Sequence, residues 1–509
     1  MKANRVKSVA LLTAFSFLGK IVGALYKIVL VAIIGAVGIG YYQLAFPVFV
    51  FLFSLISSGM GTSLTVMVAE NKDNPGKAYA IFRFAKRLVF VLSLISGGIL
   101  VAMAPFIARL QGNKIITPIY YVVAILCVGV NLLNNCKAYL RGSENTGYYV
   151  IADSVEQICK FVFSVVLALL LIGKGILIAC VGVFVGIGCS AYLTLGFLFI
   201  VFFAKRKRSV PKEEILPEDK KRLINFSLLA CVTTLILPAV QVIDSVIIVN
   251  LLQKAGESIT SATILFGLSK GTVSALLNVA NCILLPIEFL FLPSLVGIKG
   301  KQDCAKVCEK VINIVVLIVT PIAAGLFFFG EEIFTLIYSS SLTASEILVA
   351  GKLLKIGSLG LIFSSVATMQ NTMFQGVKKL QYPIYSLLIA SVLKIVFEIL
   401  LINKLSIYAV ELSGVLYGLI LVLINFIFLL KEGYEVSSPI NFVFILAGVL
   451  FGYGARLFYD LWAKGVYSGV KFVLSVLIAF MVFTFVFAAV ILIKQKKQKN
   501  SLRTLLKNE

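Results

Sequence analysis

The chain has 509 residues, of which 60% are hydrophobic and only 14% charged, and its mean hydropathy is +1.03. Soluble domains are about 45–50% apolar and about 25% charged, so these values exclude a soluble globular protein, and dividing the length by a domain size has no meaning. Nine scattered cysteines without a Cys-x-x-Cys pair, and no histidine at all, leave neither a metal site nor a disulfide framework to propose.

Long apolar runs of about 20 residues read as membrane helices, because backbone inside lipid must satisfy its own hydrogen bonds. The periodicity is helical and lacks the roughly ten-residue alternation of an outer-membrane barrel. Residues 1–7 are basic, as in a signal peptide, but the apolar run behind them continues to about residue 34 through Lys20 and Lys27, with no small-residue cleavage site. It is expected to be the first span. Fourteen spans are expected in all, at about 8–34, 41–67, 83–108, 116–140, 148–172, 175–203, 223–251, 266–294, 308–329, 346–374, 381–403, 406–430, 438–461 and 468–493. The longest polar connection, 204–222, carries Lys205-Arg206-Lys207-Arg208. It divides the chain into an expected first lobe (1–203, spans 1–6), a basic linker (204–222), a second lobe (223–430, spans 7–12) and a last segment (431–509, spans 13–14 and a basic tail). The expected fold class is an all-α polytopic membrane protein of about fourteen helices.

Positive loops stay cytoplasmic. With the N-terminus inside, 31 of the 46 Lys and Arg fall in inside segments, six in outside segments and nine within spans. That asymmetry places both termini in the cytoplasm. It also accounts for the formal charge of +23 without nucleic acid, because the basic loops face anionic lipid headgroups.

The stretch from Arg141 to Gly186 recurs. Gly142, Tyr148, Lys160, Val162 and Phe163 return as Gly376, Tyr382, Lys394, Val396 and Phe397, each 234 residues later. Lys174 then matches Lys404, and Gly182-Val183-Phe184-Val185-Gly186 matches Gly414-Val415-Leu416-Tyr417-Gly418. Leu/Ile/Val-rich helices resemble one another cheaply, but a lysine deep in an apolar run is costly, and here it occupies the same place in both copies. The matched segments are spans 5 and 11, an even offset. Two parallel six-helix lobes are expected, related by an axis along the membrane normal, with a cleft between them and alternating access by rocking.

Nine basic residues fall inside spans: Lys20, Lys27, Lys160, Lys270, Lys352, Lys355, Lys394, Arg456 and Lys471. Each costs about 2.5–3.5 kcal/mol at mid-bilayer on insertion scales. Lys270, Arg456 and Lys471 lie near expected helix ends and can snorkel. Lys20 and Lys27 are two turns apart on one face, thinned by Gly19 and Gly23, with no acid in the same span. Two unpaired ammonium groups in a wet cleft suit an anionic ligand. The plainer alternative is neutralisation by an acid on another span, such as Asp244. Asp153, Glu156 and Lys160 share a face of span 5, and Glu156 and Lys160 are spaced for an intrahelical pair. Lys394 and Glu398 do the same in span 11. These five are either neutralised structural pairs or candidates for coupling a cation. Ser57-Ser58-Gly59-Met60-Gly61 in span 2 suits a hinge or a tight helix contact. No P-loop, catalytic triad or acid pair emerges, so no enzyme is expected.

Gly38-Ile39-Gly40-Tyr41-Tyr42-Gln43-Leu44-Ala45-Phe46-Pro47, then Ser57-Ser58-Gly59-Met60 and Ala69-Glu70, resemble the first two helices of stage V sporulation protein B-like polysaccharide flippases. These belong to the multidrug/oligosaccharidyl-lipid/polysaccharide (MOP) exporter superfamily. Leu237-Pro238 with Val242-Ile243-Asp244-Ser245, and Phe374-Gln375-Gly376 with Lys394, extend the resemblance over most of the chain. The chain departs from it at Gly61, where relatives often carry proline, and at Lys270, in a region commonly uncharged. The resemblance implies two MATE-like six-helix lobes around a central cleft. It also implies two C-terminal helices, which in lipid II flippases form a groove for the lipid tail. The implied activity is translocation of a polyprenyl-pyrophosphate-linked glycan across the bacterial plasma membrane by a monomeric transporter. Lys20, Lys27, Asp244 and Lys270 are then the candidate substrate-binding residues, and Asp153, Glu156, Lys160, Lys394 and Glu398 the ion-coupling candidates. No cofactor is implied beyond a coupling cation, Na+ or H+. The alternative is a cation-coupled multidrug exporter of the same fold. A non-transporting scaffold fits the intramembrane charges poorly, and a membrane glycosyltransferase lacks an acidic metal motif.

Overall fold

The computed structural model describes residues 2–203, 213–296, 298, 300–434 and 442–463, together with positions 469, 472 and 475. The expected span 14, the basic tail, Lys471 and most of the basic linker lie outside the described residues, as does the side chain of Lys20. The described elements are all helical. They are α1 (Lys2–Phe53), α2 (Gly59–Glu70), α3 (Pro75–Leu110), α4 (Thr117–Gly142), α5 (Thr146–Leu171) and α6 (Ile176–Leu198) in the first half. Then come α7 (Pro217–Lys254), α8 (Ile259–Gly267), α9 (Ser274–Cys282), α10 (Leu285–Val296), α11 (Lys301–Phe328), α12 (Gly330–Tyr338), α13 (Ala344–Gly376), α14 (Gln381–Leu405), α15 (Tyr408–Lys431) and α16 (Phe442–Ala463). Among the described residues, 11 helices are long and apolar enough to cross a membrane. The chain is an all-α polytopic membrane protein.

Expected spans 1 and 2 form one helical run broken at Gly35, whose φ of 65° is left-handed. Lys27 Nζ lies 5.5 Å from the centroid of the Phe46 ring. A straight helix would separate these residues by roughly 28 Å at 1.5 Å per residue, so the chain doubles back at Gly35. The limb after the bend passes through a π-helical turn (Ser54–Ser58) into α2. There Gly59 packs so closely on α7 that a Cβ would meet the Ser227 carbonyl and sit 2.7 Å from the Cys231 nitrogen. The small-residue stretch of span 2 therefore makes a tight helix contact around a local π turn.

Expected span 8 is not one helix. α8 runs into a π-helical turn, Leu268–Val273, then α9, and α10 restarts at Leu285-Pro286. The Gln43 side chain donates to the Lys270 carbonyl within that turn. A π turn shifts the backbone ladder and lets a side chain from outside reach it. Pro286 cannot continue the ladder of α9.

The duplication is visible in the backbone. α4 ends on Gly142 and α13 on Gly376. In both copies the second residue beyond that glycine is left-handed, Glu144 at φ 56° and Lys378 at φ 59°. Both glycines mark a crossing with the second span of their half. A Cβ on Gly142 would lie 2.6 Å from the Thr65 carbonyl of α2, and one on Gly376 would lie 2.9 Å from Leu295 of α10. Neighbour relations repeat as well. α3 packs on α4, α4 on α6 and α5 on α6, while α11 packs on α13, α13 on α15 and α14 on α15; α1 meets α5 as α7 meets α14. One apolar cluster centres on Phe82 and Tyr139 of the first half, one on Phe374 of the second, and a third, which includes Ile39, Tyr42 and Phe266, draws on both.

A Cβ at position 35 would meet only the Ser341 carbonyl at 3.6 Å, so the requirement for glycine there comes from the backbone. Gly35→Val is expected to destabilise the protein by about 1–2 kcal/mol, read from unfolding of the detergent-solubilised protein. An unchanged midpoint would place the reversal elsewhere.

Candidate functional site

Two chambers lie between the halves. The first, about 440 Å³, is lined by α1 (Lys27, Gln43), α7 (Asp244), the π turn (Lys270), α14 (Lys394) and α15 (Glu411). The second, about 660 Å³, is lined by Gly23 and Lys27 of α1, Asp153 and Gln157 of α5, and residues of α9, α10 and α13. Lys27, Asn278, Asn281 and Ser364 line both, so the chambers adjoin at these residues.

Lys27 is half-buried, and its only recorded partner among the described residues is the face of Phe46. A cation over an aromatic face gains about 0.5–1 kcal/mol at exposed sites and more when desolvated. The charge itself keeps no counter-ion there. Of its expected companion, Lys20, the structure gives the helix and not the side chain. Asp244 does not neutralise Lys27. It is gripped by Lys270 Nζ at 3.1 Å and by Lys394 Nζ. Lys394 also reaches Glu398 at 3.1 Å, the intrahelical pair expected in span 11. Glu398 accepts from the Ser413 hydroxyl at 3.2 Å, and Glu411 accepts from the Ser269 hydroxyl at 2.6 Å. All three carboxylates are buried, at 5%, 0% and 9% exposure for Asp244, Glu398 and Glu411.

The first half carries a second cluster with different wiring. Glu156 does not pair with Lys160. Lys137 of α4 takes both Glu156 and Asp153, the latter at 2.7 Å. Lys137 counts among the inside segments, at the cytoplasmic end of expected span 4 (116–140), but it is 6% exposed within α4, which runs to Gly142. Lys160 instead lies over the Tyr26 ring at 5.5 Å. The repeated lysines are thus placed alike, each leaning on the first helix of its half. One meets a tyrosine ring on α1, the other a carboxylate on α7.

Other expectations change too. Lys270 does not snorkel from a helix end, because the π turn sets it inside the protein beside Asp244. Arg456 pairs with Glu332 of α12 and, at 3.1 Å, with Asp460. Lys352 is exposed, and Lys355 lies over the Phe327 ring at 4.8 Å.

One end of the cleft is held shut by uncharged groups. The turn after α3 donates and accepts across it. Gln111 donates to the Leu44 carbonyl at 2.9 Å and to the Ser245 hydroxyl at 2.8 Å. Asn113 donates to the Thr263 hydroxyl at 3.0 Å. Asn250 and Gln253 of α7 return bonds to the carbonyls of Leu110 and Gly112 at 2.7 and 3.0 Å. Close packing of Gly40 against Gly267 seals the same level.

Sequence reasoning overlooked Glu411. The signal was present, because the matched glycines Gly182 and Gly414 align Glu411 with Ala179, an apolar residue in the other copy. A charge found in only one copy of a duplicated helix is what a site, rather than a scaffold, requires.

Residues 5–296 match the family described as polysaccharide biosynthesis protein. The chain belongs to that family. Stage V sporulation protein B of Bacillus subtilis (strain 168) is 21% identical over 352 residues, covering 67% of this chain and 68% of its own length. Lipid II flippase MurJ of the same organism is 21% identical over 466 residues, 83% of each chain. Among solved structures, lipid II flippase MurJ in an inward closed conformation superposes with a TM-score of 0.64 at 14% identity, covering 95% of this chain and 100% of the other. An inward-facing multidrug resistance MATE family transporter of the MOP superfamily gives 0.62 at 16%, covering 88% and 96%. The fold is shared with both of these membrane transporters.

Two of the three lysines of the first chamber, Lys394 and Lys27, should respond unequally to truncation. Lys394→Ala leaves buried carboxylates uncompensated and is expected to cost about 3–5 kcal/mol. Lys27→Ala should cost about 1 kcal/mol or less. Unfolding midpoints in detergent distinguish them. Equal losses would mean that Lys27 is part of the structural charge network.

Proposed function

We propose that this protein is a flippase that moves a polyprenyl-pyrophosphate-linked glycan, or a cell-wall precursor of that kind, across the bacterial plasma membrane by alternating access between two lobes. The observation that carries the proposal is Lys27, an ammonium lining both chambers and without a carboxylate partner among the described residues. An ammonium inside a bilayer is too costly to leave idle, and a pyrophosphate passing through the chambers is a fitting counter-ion. A compact, strongly hydrated point charge suits a transient phosphate contact. Lys20, two turns earlier in α1, is proposed to serve with it, and Lys270 and Asp244 line the first chamber opposite Lys27. The named activity of the relative, lipid II flippase, supports the same class of substrate.

The lipid tail need not enter the chambers. A separate apolar cavity of about 370 Å³, lined by Pro321, Leu326, Phe329, Phe451, Gly452 and Phe472, lies between α11 and α16 and offers it a sheltered surface. Both termini are cytoplasmic in this proposal, the working unit is a monomer, and the ion-coupling candidates serve a driving cation. A second reading, export of cationic drugs, is favoured by the carboxylates of Asp244 and Glu411 in the first chamber. Asp244 is already engaged by two lysines, so the flippase reading fits the lining better.

Reconstituted into liposomes, the protein is expected to translocate a fluorescent polyprenyl-pyrophosphoryl sugar and not a cationic dye. Lys27→Gln should slow translocation at least about tenfold, the worth of one charge-assisted hydrogen bond, and Lys20→Gln with Lys27→Gln should abolish it at normal expression. Undiminished flipping by the double variant, or transport of the dye alone, would refute the proposal.

A further inference from the structure

The charges at the first chamber balance among the groups named. Lys27, Lys270 and Lys394 supply three positive charges, and Asp244, Glu398 and Glu411 supply three negative ones. A pyrophosphate diester brings two more negative charges into this low-dielectric space. Neither Lys270 nor Lys394 is free to absorb them, since both hold Asp244 and Lys394 also holds Glu398. Lone pairs are already in excess here. Asp244 Oδ1 and Glu398 Oε2 are buried without a hydrogen-bond partner. The incoming charge therefore favours uptake of a cation, and the smallest one available is a proton.

The geometry selects where that proton goes. Glu398 is fully buried and does not line the chamber, and Asp244 is clamped by two ammonium groups. Glu411 lines the chamber, so its water can deliver a proton, and no ammonium lies within ion-pair distance of it among the described residues. Its neighbours are Ser269 and Lys270 on the π turn, Lys394 and Glu398 on α14, Asp244 on α7, Lys27 across the chamber on α1 and Tyr417 on its own helix. Among the described residues, α9 and α13 bring no charged side chain to this chamber. A Cβ at Gly357 of α13 would lie 2.8 Å from Glu411 Oε2 and 3.0 Å from Leu277 of α9. Ser269 donates to Glu411 at 2.6 Å. A hydroxyl both donates and accepts, so the contact survives protonation of the carboxyl with its direction reversed.

We propose that Glu411 takes up a proton when the pyrophosphate headgroup binds, so that anion and proton occupy the chambers together. This rests on the flippase reading. The proton passes from chamber water to a Glu411 carboxylate oxygen, and no bond in the substrate changes. Coupling between two ligands is reciprocal. If the headgroup tightens proton binding, protonated Glu411 tightens headgroup binding. Affinity therefore rises as pH falls, by up to about tenfold per pH unit within the titration window.

The test uses the purified full-length chain in lipid nanodiscs and a short-chain polyprenyl-pyrophosphoryl monosaccharide, whose diester phosphates keep a constant charge near neutrality. Calorimetry in buffers of different ionisation enthalpy counts protons taken up per headgroup bound, and Kd is measured at about pH 6 and about pH 8, on either side of neutral. The wild-type chain is expected to take up close to one proton and to bind more tightly at the lower pH. Glu411→Gln should bind with neither proton uptake nor pH dependence. Glu411→Asp, which withdraws the carboxyl by one methylene, should keep the uptake and move its pH midpoint, and this holds the test open if the Gln variant fails to fold. Binding by wild type without proton uptake, undiminished uptake in Glu411→Gln, or an unmoved midpoint in Glu411→Asp would overturn this inference alone. Absence of headgroup binding by wild type would overturn the flippase reading and this inference with it.

Discussion

An ammonium ion in a hydrocarbon layer must find a counter-charge, an aromatic face or water, and the architecture of this chain follows from how each buried lysine meets that demand. Lys394 and Lys270 converge on Asp244, and Lys137 gathers Asp153 and Glu156. Lys160 and Lys27 settle over rings. The first three are closed arrangements that hold helices together, each ammonium taken up by one or more carboxylates. The last two retain a full charge that a ring only partly offsets. Lys27 is the one of these that stands where two chambers meet.

The duplication explains why the site is asymmetric. Two halves built from one pattern repeat their helix ends, their left-handed turns at Glu144 and Lys378, and their lysines at 160 and 394. Function has to come from what the copies do not share. Lys394 meets the Asp244 carboxylate where Lys160 meets the Tyr26 ring, and Glu411 faces the chamber where the matching helix carries Ala179. The charged wall of the first chamber therefore belongs largely to the second half, with α1 supplying Lys27 opposite. Relative motion of the halves would alter the distance between those walls, which links transport geometry to electrostatics.

Much of this was legible in the sequence. Hydropathy gave the class, and the repeated glycine and lysine gave the duplication, because both are costly to keep in apolar helices without a reason. Lys27 stood out for the same cause. What could not be read was partnership across the fold. Asp244 and Lys394 are 150 residues apart, and nothing local to either names the other. Lys137 counted as a cytoplasmic charge because its two carboxylate partners lie on another helix, α5. Lys270 was misplaced because a π turn, which no hydropathy pattern marks, interrupts its span. Glu411 carries no local signal in its apolar run and stands out only against Ala179, its counterpart in the other copy.

The central claim is that Lys27 projects into a wet gap between the halves and meets a phosphate there. An experimental structure of the protein with a short-chain polyprenyl-pyrophosphoryl sugar bound tests it most directly. The account requires phosphate density within hydrogen-bonding reach of Lys27 Nζ, with the Asp244–Lys394 contact intact behind it. Phosphates bound elsewhere, or Lys27 directed into lipid or closed onto a carboxylate, would contradict it.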